Sequence, residues 1–425
     1  MLILVLSLFV LLIIGVPIGY SLGLSSFVYF SVLHPELLSI LPQRLYSGMN
    51  SYAMIALPLF TLMGLLMNSG GITSKLIEVS LIFVGKLRGG LGLVNVFSSM
   101  IFGGISGSSV SDTASIGAIL IPEMEKKGYT KEFATGITVA SSTMGMIIPP
   151  SIPMVLYAVV SGESVGKLFL GGLIPGVLIG VFMMGITLFL SWKNDYPTAE
   201  LDLTFKEKAF KIKDSSLALI MPLIVIGSVT LGVATPTESA GIGVLYAFIV
   251  GFFIYKAFKL KSLPELFRSS ITTSANVMII IAFSSLYIWI LSLERAPEVV
   301  ANFLLGLDLP NFAILLLLSV VILMIGTFID VAPAILLLTP VFQPALATLG
   351  ISSIQFGVLL ITALAIGLVT PPVGMCLNVG STISKLDIIE IFKASLPFLM
   401  ANLLTLLLVA LIPGVCTWLP NLLMK

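Results

Sequence analysis

Two acids in apolar surroundings share a companion and an interval. Asp112 is followed ten residues later by Pro122 in SDTASIGAILIP, and Asp330 ten residues later by Pro340 in DVAPAILLLTP. Each stretch precedes a Gly-x-x-x-Pro-Pro element, Gly145 to Pro149-Pro150 in STMGMIIPPSIPM and Gly367 to Pro371-Pro372 in AIGLVTPPVGM. A Pro-Pro pair withholds two backbone donors and drives the preceding residue to extended geometry, so a helix stops there and presents carbonyl oxygens. Carbonyls, carboxylates and the hydroxyls of GGISGSSVSD are ligands for a hard cation. Similar breaks at corresponding positions of two halves are what a secondary transporter uses to hold substrate and coupling ions near the bilayer midplane. An acid inside an apolar span costs about 2.5–3.5 kcal/mol on insertion scales, so both aspartates are functional candidates. The competing reading is that each only caps a half-helix N-terminus, and the two roles are compatible.

The elements that position these groups are membrane helices. Of 425 residues 58% are apolar and 10% charged, against about 25% charged in a soluble domain. The long apolar runs favour helical spans over a β-barrel, whose strands would alternate over about 10 residues. Runs fall at about 2–32, 52–70, 76–85, 91–121, 134–160, 168–192, 215–233 and 238–258, then 271–293, 310–348, 354–384 and 395–424. Those starting at 91, 134, 310 and 354 are interrupted by Gly, Pro, Ser and Asp, which at membrane depth belong inside protein or against a cavity. The first run follows Met1 without a basic n-region or cleavage site and reads as the first membrane helix.

Basic residues set the topology. Lys193, Lys206, Lys208, Lys211 and Lys213 mark one loop, and Lys256, Lys259, Lys261 and Arg268 another, two spans apart. Both are therefore cytoplasmic, and the Ala234–Thr237 turn and the loop with Glu294, Arg295, Glu298 and Asp308 are external. The two lysine-bearing segments are expected to form short amphipathic helices on the membrane surface. Trp192, Trp289 and Trp418 stand near span ends as interface anchors.

The remaining chemistry is sparse. A net charge of +1 gives no field for nucleic acid, and two cysteines and one histidine, His34, supply no metal cluster or disulfide framework. Thr235-x-x-Glu238 reads as a capping box behind Pro236. Asn95, Asn276 and Asn378 either bond between helices or line a path. An intramembrane enzyme with an aspartate pair is disfavoured, because each acid stands beside its own helix break and no Ser-His or metal set accompanies them.

GGISGSSVSDTASIGAILIP, GMIIPPSIPM, GVATPTESAG and GLVTPPVGMCLNVG, in this order, resemble the signature stretches of the large membrane subunit of tripartite ATP-independent periplasmic (TRAP) transporters, over essentially the whole chain. The resemblance implies an all-α polytopic protein of the bacterial inner membrane. Its fold would be the ion-transporter-superfamily elevator fold, with two inverted repeats, each holding a re-entrant helical hairpin and a broken helix. It implies sodium-driven uptake with at least two Na+ ions, a soluble periplasmic binding protein that delivers an anionic substrate, and a small four-helix membrane subunit, here expected as a separate chain. SSVSDTASIG looks more like the sialic-acid branch than the C4-dicarboxylate branch.

Carried onto this chain, the resemblance gives N-terminal scaffold helices over 1–90, first-repeat transport elements over 91–192, cytoplasmic loops and scaffold helices over 193–270, and the second repeat with the C-terminal helix over 271–425. The hairpins fall at about 91–125 and 324–349, and the broken helices at about 134–160 and 354–384. One sodium site would use Ser106, Ser108, Asp112, Gly145 and Pro149, the other Gly326, Thr327, Asp330, Gly367 and Thr370. Substrate would meet Ser106, Ser108, Ser109, Thr143 and Asn378. The first hairpin, Ser-rich over 103–115, is expected to supply more polar contacts than the apolar stretch after Asp330.

Overall fold

The computed structural model describes residues 1–199 and 204–424. Every regular element among them is helical. Seven helices are long and apolar enough to cross a membrane, and the pair Ala56–Ser69 and Ile72–Val84, bent by 67°, forms an eighth candidate.

Two sets of elements repeat in order. In the first, Gly90–Ser106 runs to a tip at Gly107-Ser108 and Ser109–Lys126 returns. Lys131–Ser141 then leads to a break, Ile152–Ser161 resumes beyond it, and Val165–Lys193 crosses the full thickness. In the second, Asn311–Gly326 and Val331–Thr348 form the hairpin, Ser353–Gly367 and Met375–Ser384 flank the break, and Ile388–Leu411 crosses. The Pro149-Pro150 and Pro371-Pro372 peptides are both cis.

The repeats are inverted. Val165–Lys193 has 29 residues, about 44 Å at about 1.5 Å per residue, so its ends lie on opposite membrane faces. Beyond its C-terminal end, Tyr196 bonds Thr130 at 3.1 Å and the Pro197 carbonyl accepts from the Tyr129 hydroxyl at 3.0 Å, which ties down the base of the first hairpin. Ahead of its N-terminal end, the Ser161 carbonyl accepts from Gln343 at 3.0 Å, near the base of the second hairpin. The hairpins thus enter from opposite sides, the first from the lysine-rich, cytoplasmic side.

The halves interlock. Ile152–Ser161 packs on the return arm Val331–Thr348, and Met375–Ser384 packs on the return arm Ser109–Lys126. The broken helices form the centre: every residue of Ile354–Gly367 and of Phe133–Ser141 is buried. Each runs into a break whose freed backbone groups need protein or a cavity around them at membrane depth, which is why these two sit inside.

Several boundaries differ from the sequence reading. Gly15 and Pro17 split the first run into Leu2–Ile13 and Ile18–Leu33. The expected surface helices do not form separately: Lys206, Lys208, Lys211 and Lys213 ride on an extension of the membrane helix Phe205–Thr230 behind a Thr204–Glu207 capping box, whereas Lys256 and Lys259 lie in the connection, Lys261 in a single 3-10 turn, and Arg268 on the start of Leu263–Leu293. The second hairpin begins at Asn311, not near 324, since Gly326-Thr327 forms its tip instead of its start. Leu263–Leu293, placed from 271 onward with the second repeat, packs against Ile18–Leu33, Leu41–Met49 and Ala56–Ser69 and so stands with the N-terminal helices.

Candidate functional site

The first hairpin tip turns at Gly107, where φ is +63°. Ser108 caps the return arm, its Oγ accepting from the Ser111 N–H at 3.5 Å. The Ser106 hydroxyl receives the Ser108 N–H at 3.2 Å and bonds Oδ1 of Asp112. Asp112 is 1% exposed, and its Oδ2 has no hydrogen-bond partner among the described residues. Asp112 sits one turn inside the helix, so the capping role proposed for it belongs to Ser108.

The first break closes onto this tip because both strands of the contact lack side chains. A Cβ on Gly103 would stand 3.0 Å from the Gly145 Cα. One on Gly145 would run into the Asp112 carboxyl, 2.8 Å from its Cγ. The Pro149 carbonyl oxygen lies 2.8 Å from where Gly104 would carry a Cβ. The tip and the break thus bring Ser106, Ser108 and Gly145 to the buried Asp112 carboxyl, whose Oδ2 is an open acceptor, while the Pro149 carbonyl lies against Gly104.

The second tip uses the same contact with a different register. Gly326 and Gly367 touch so closely that a Cβ on Gly367 would fall 2.5 Å from the Gly326 carbonyl carbon. The Thr327 carbonyl accepts from the Val373 N–H at 3.2 Å, which joins tip to break. Here the acid itself caps the return arm, Asp330 Oδ1 accepting from the Val331 N–H at 2.7 Å. Thr327 and Thr370 direct their hydroxyls to their own helix carbonyls, Met324 and Ile366, at 2.8 Å each. Counted from the N-cap, Asp330 corresponds to Ser108, and the matched ten-residue offsets do not make the aspartates spatial equivalents.

Between the two tips lies a cavity of about 250 Å³, lined from the first hairpin by Ser108 and Ser109, from the second by Asp330, and from the helices Ala56–Ser69 and Leu263–Leu293 by Thr61, Thr273 and Ser274. A further cavity of about 340 Å³, with Tyr20 and Asn276, meets Asp330 from the other side.

This arrangement of paired tips and breaks matches a known family. A profile described as "Tripartite ATP-independent periplasmic transporter, DctM component" covers residues 5–415. The chain belongs to this family. The permease is 35% identical to the sialic acid TRAP transporter large permease protein SiaM of Vibrio cholerae, over 97% of this chain and 96% of that one. It is 35% identical to the C4-dicarboxylate large permease DctM of Pseudomonas aeruginosa, over 94% of each. It is 33% identical to the isethionate permease DctMQ of Oleidesulfovibrio alaskensis, over 95% of this chain and 64% of that one. Its fold is that of the Alcanivorax borkumensis YdaH transporter, with a TM-score of 0.66 at 16% identity over 90% of each chain. The chain is thus a multi-pass inner-membrane transport permease and not an enzyme.

Of the residues expected to meet substrate, Ser108 and Ser109 line the cavity of the permease, and Ser106 stands behind them on Asp112. Thr143 and Asn378 are not brought to it. The Thr143 hydroxyl is buried against Asn402 Oδ1 at 2.8 Å, and Asn378 is exposed and donates to the Val373 carbonyl at 2.9 Å. Thr143 lies in the turn that opens the first break and Asn378 on the helix beyond the second, and each is bonded away from the tips. Thr61, Thr273 and Ser274 were missed because nothing local distinguishes a hydroxyl on a long span from the many that return to their own backbone. Elsewhere Glu238 completes its capping box with Thr235, and Asn95 bonds Thr138 on a neighbouring helix at 2.7 Å. The His34 ring bonds Glu36 at 3.1 Å and lies against Tyr29, and the cysteines are free and buried.

Proposed function

We propose that this permease imports a carboxylate-bearing organic anion, with sialic acid (N-acetylneuraminate) the first candidate, driven by an inward sodium gradient. A soluble periplasmic binding protein delivers the anion, and a small four-helix membrane subunit completes the assembly. At least two Na+ ions travel with it, one at Ser106, Ser108, Asp112, Gly145 and Pro149, the other at Gly326, Thr327, Asp330, Gly367 and Thr370. The observation that carries the reading is the unpartnered, buried Oδ2 of Asp112 at the contact of hairpin tip and helix break. Desolvation without pairing costs a carboxylate several kcal/mol, so this one takes up either a proton or a cation, and the hydroxyl and carbonyl oxygens at the same contact favour the cation.

The substrate occupies the cavity between the tips, where Ser108 and Ser109 offer donors and the coupled cations offset its charge. The hairpins and broken helices form one body that slides as an elevator against the N-terminal helices and Leu263–Leu293. The relatives named for sialic acid, C4-dicarboxylate and isethionate support an organic anion. SSVSDTASIG favours the first, and C4-dicarboxylates are the second candidate. In proteoliposomes holding this chain and its small partner, uptake of labelled sialic acid or succinate should require both the binding protein and an inward sodium gradient. Equal uptake with the gradient removed would overturn the reading.

A further inference from the structure

Ser274 belongs to Leu263–Leu293, a helix outside both hairpins and both broken helices, yet it lines the cavity opposite the first hairpin tip. It is 6% exposed, and Ser109, which lines the same cavity from the first hairpin's return arm, is 1% exposed. Neither hydroxyl has a hydrogen-bond partner among the described residues.

Ser191, Ser215, Ser284 and Thr339 are buried and unpartnered as well, but of these hydroxyls only Ser109 and Ser274 line this cavity, and the commoner practice in the chain is different. Helical hydroxyls in apolar surroundings return to a carbonyl one turn back, as Thr61 does to Leu57 at 2.8 Å, Ser319 to Leu315 at 2.7 Å and Thr362 to Val358 at 2.7 Å. Thr61 lines the same cavity and is already satisfied. Ser274 stands in regular helix with the Ser270 carbonyl one turn behind it and leaves it unused. A buried hydroxyl without a partner calls for an acceptor supplied from elsewhere.

We infer that Ser274 is a specificity-determining residue that, together with Ser109, holds the carboxylate of the transported anion from opposite walls of the cavity. A carboxylate fits because it is acceptor-only and has two separate oxygens, one for each hydroxyl, whereas a hydroxyl brings a further donor to be placed and a cation accepts from neither. Asp330 also lines the cavity, but its Oδ1 accepts from the Val331 N–H, the helix N-terminus offsets part of its charge, and the second sodium proposed above offsets the rest. The ligand is thereby gripped by both bodies, and the site is incomplete on either alone.

This inference rests on the carboxylate reading above, and the assay separates the two. The assembled complex is reconstituted and uptake of sialic acid, or of succinate if the wild type takes up only dicarboxylates, is measured at saturating sodium. Ser274→Ala should raise the substrate KM about tenfold, the size of one hydrogen bond to a charged group, with the maximal rate and sodium half-saturation held. Ser274→Thr, which keeps the hydroxyl, should restore the KM. Ser284→Ala is the control: Ser284 is buried and unpartnered on the same helix but does not line the cavity. If Ser274→Ala does not assemble, Ser274→Cys reports instead and should show the same KM rise. An unchanged KM, an equal effect from Ser284→Ala, or a shift confined to sodium half-saturation would overturn the inference while leaving sodium-coupled uptake intact. Wild-type uptake indifferent to sodium would instead fail the reading beneath it.

Discussion

Gly145→Ala tests whether the hairpin tip and the helix break make one cation site. The added Cβ would meet the Asp112 Cγ at 2.8 Å and the Ser108 carbonyl carbon at 3.3 Å. Carbon atoms rest about 3.5–4.0 Å apart, so the tip must withdraw by several tenths of an ångström to about 1 Å. Overpacking of this kind costs about 1–3 kcal/mol. From the middle of that range, about 2 kcal/mol, the helix preference of Ala over Gly takes back up to about 1 kcal/mol, which leaves about 1–2 kcal/mol against the closed contact. Because the displaced groups are the proposed sodium ligands, that energy should be expressed in sodium affinity, raising the half-saturating concentration about 5- to 30-fold. The assay is sodium-dependent uptake in proteoliposomes, read beside the thermal unfolding of the purified assembly. Gly241→Ala serves as the reference, since a Cβ there meets nothing within 4 Å. A folded Gly145→Ala protein with unaltered sodium half-saturation, or an equal shift from Gly241→Ala, would refute the reasoning.

Other substitutions probe the remaining contacts. Asp112→Asn should abolish sodium-driven uptake while the assembly still purifies, and Ser106→Ala should weaken sodium by about tenfold or more, since it removes a hydrogen bond to a charged group worth about 1.5–3 kcal/mol. Asp330→Ala should lower stability by about 0.5–2 kcal/mol through its lost cap, whereas Asp330→Asn keeps the cap; transport by the Asn variant at the wild-type rate would reduce Asp330 to capping alone. At the external end of Leu263–Leu293, the Tyr29 hydroxyl bonds Glu294 at 2.5 Å and holds its carboxyl below the usual value of 4.5. A depressed folded value means that this bond's contribution is complete above 4.5 and fades as the pH falls through the lower folded value. Thermal unfolding of Tyr29→Phe should therefore converge on the wild type in acid and diverge from it at neutral pH.

Much of this protein was legible in the order of its residues. Spans follow from apolar runs, because lipid leaves no choice but a helix for an unbroken apolar stretch. The breaks follow from Pro149-Pro150 and Pro371-Pro372, because proline cannot donate, and the orientation follows from where the lysines collect. The Thr235–Glu238 cap was likewise local, a matter of four consecutive residues. What a one-dimensional pattern does not carry is which turn of a helix faces a neighbour many residues away. Equal spacing from Asp112 to Pro122 and from Asp330 to Pro340 suggested equivalent acids, but one lies a turn inside its helix and the other caps it, since the tip on each side closes after a different number of residues. Gly145 and Gly367 stood out as the first residues of the two Gly-x-x-x-Pro-Pro elements, whereas their pressing against Gly103 and Gly326 depends on how two separate helices meet. The wall of Thr61, Thr273 and Ser274 arises where helices far apart in the chain converge on the hairpin tips, and only packing brings those hydroxyls to the cavity.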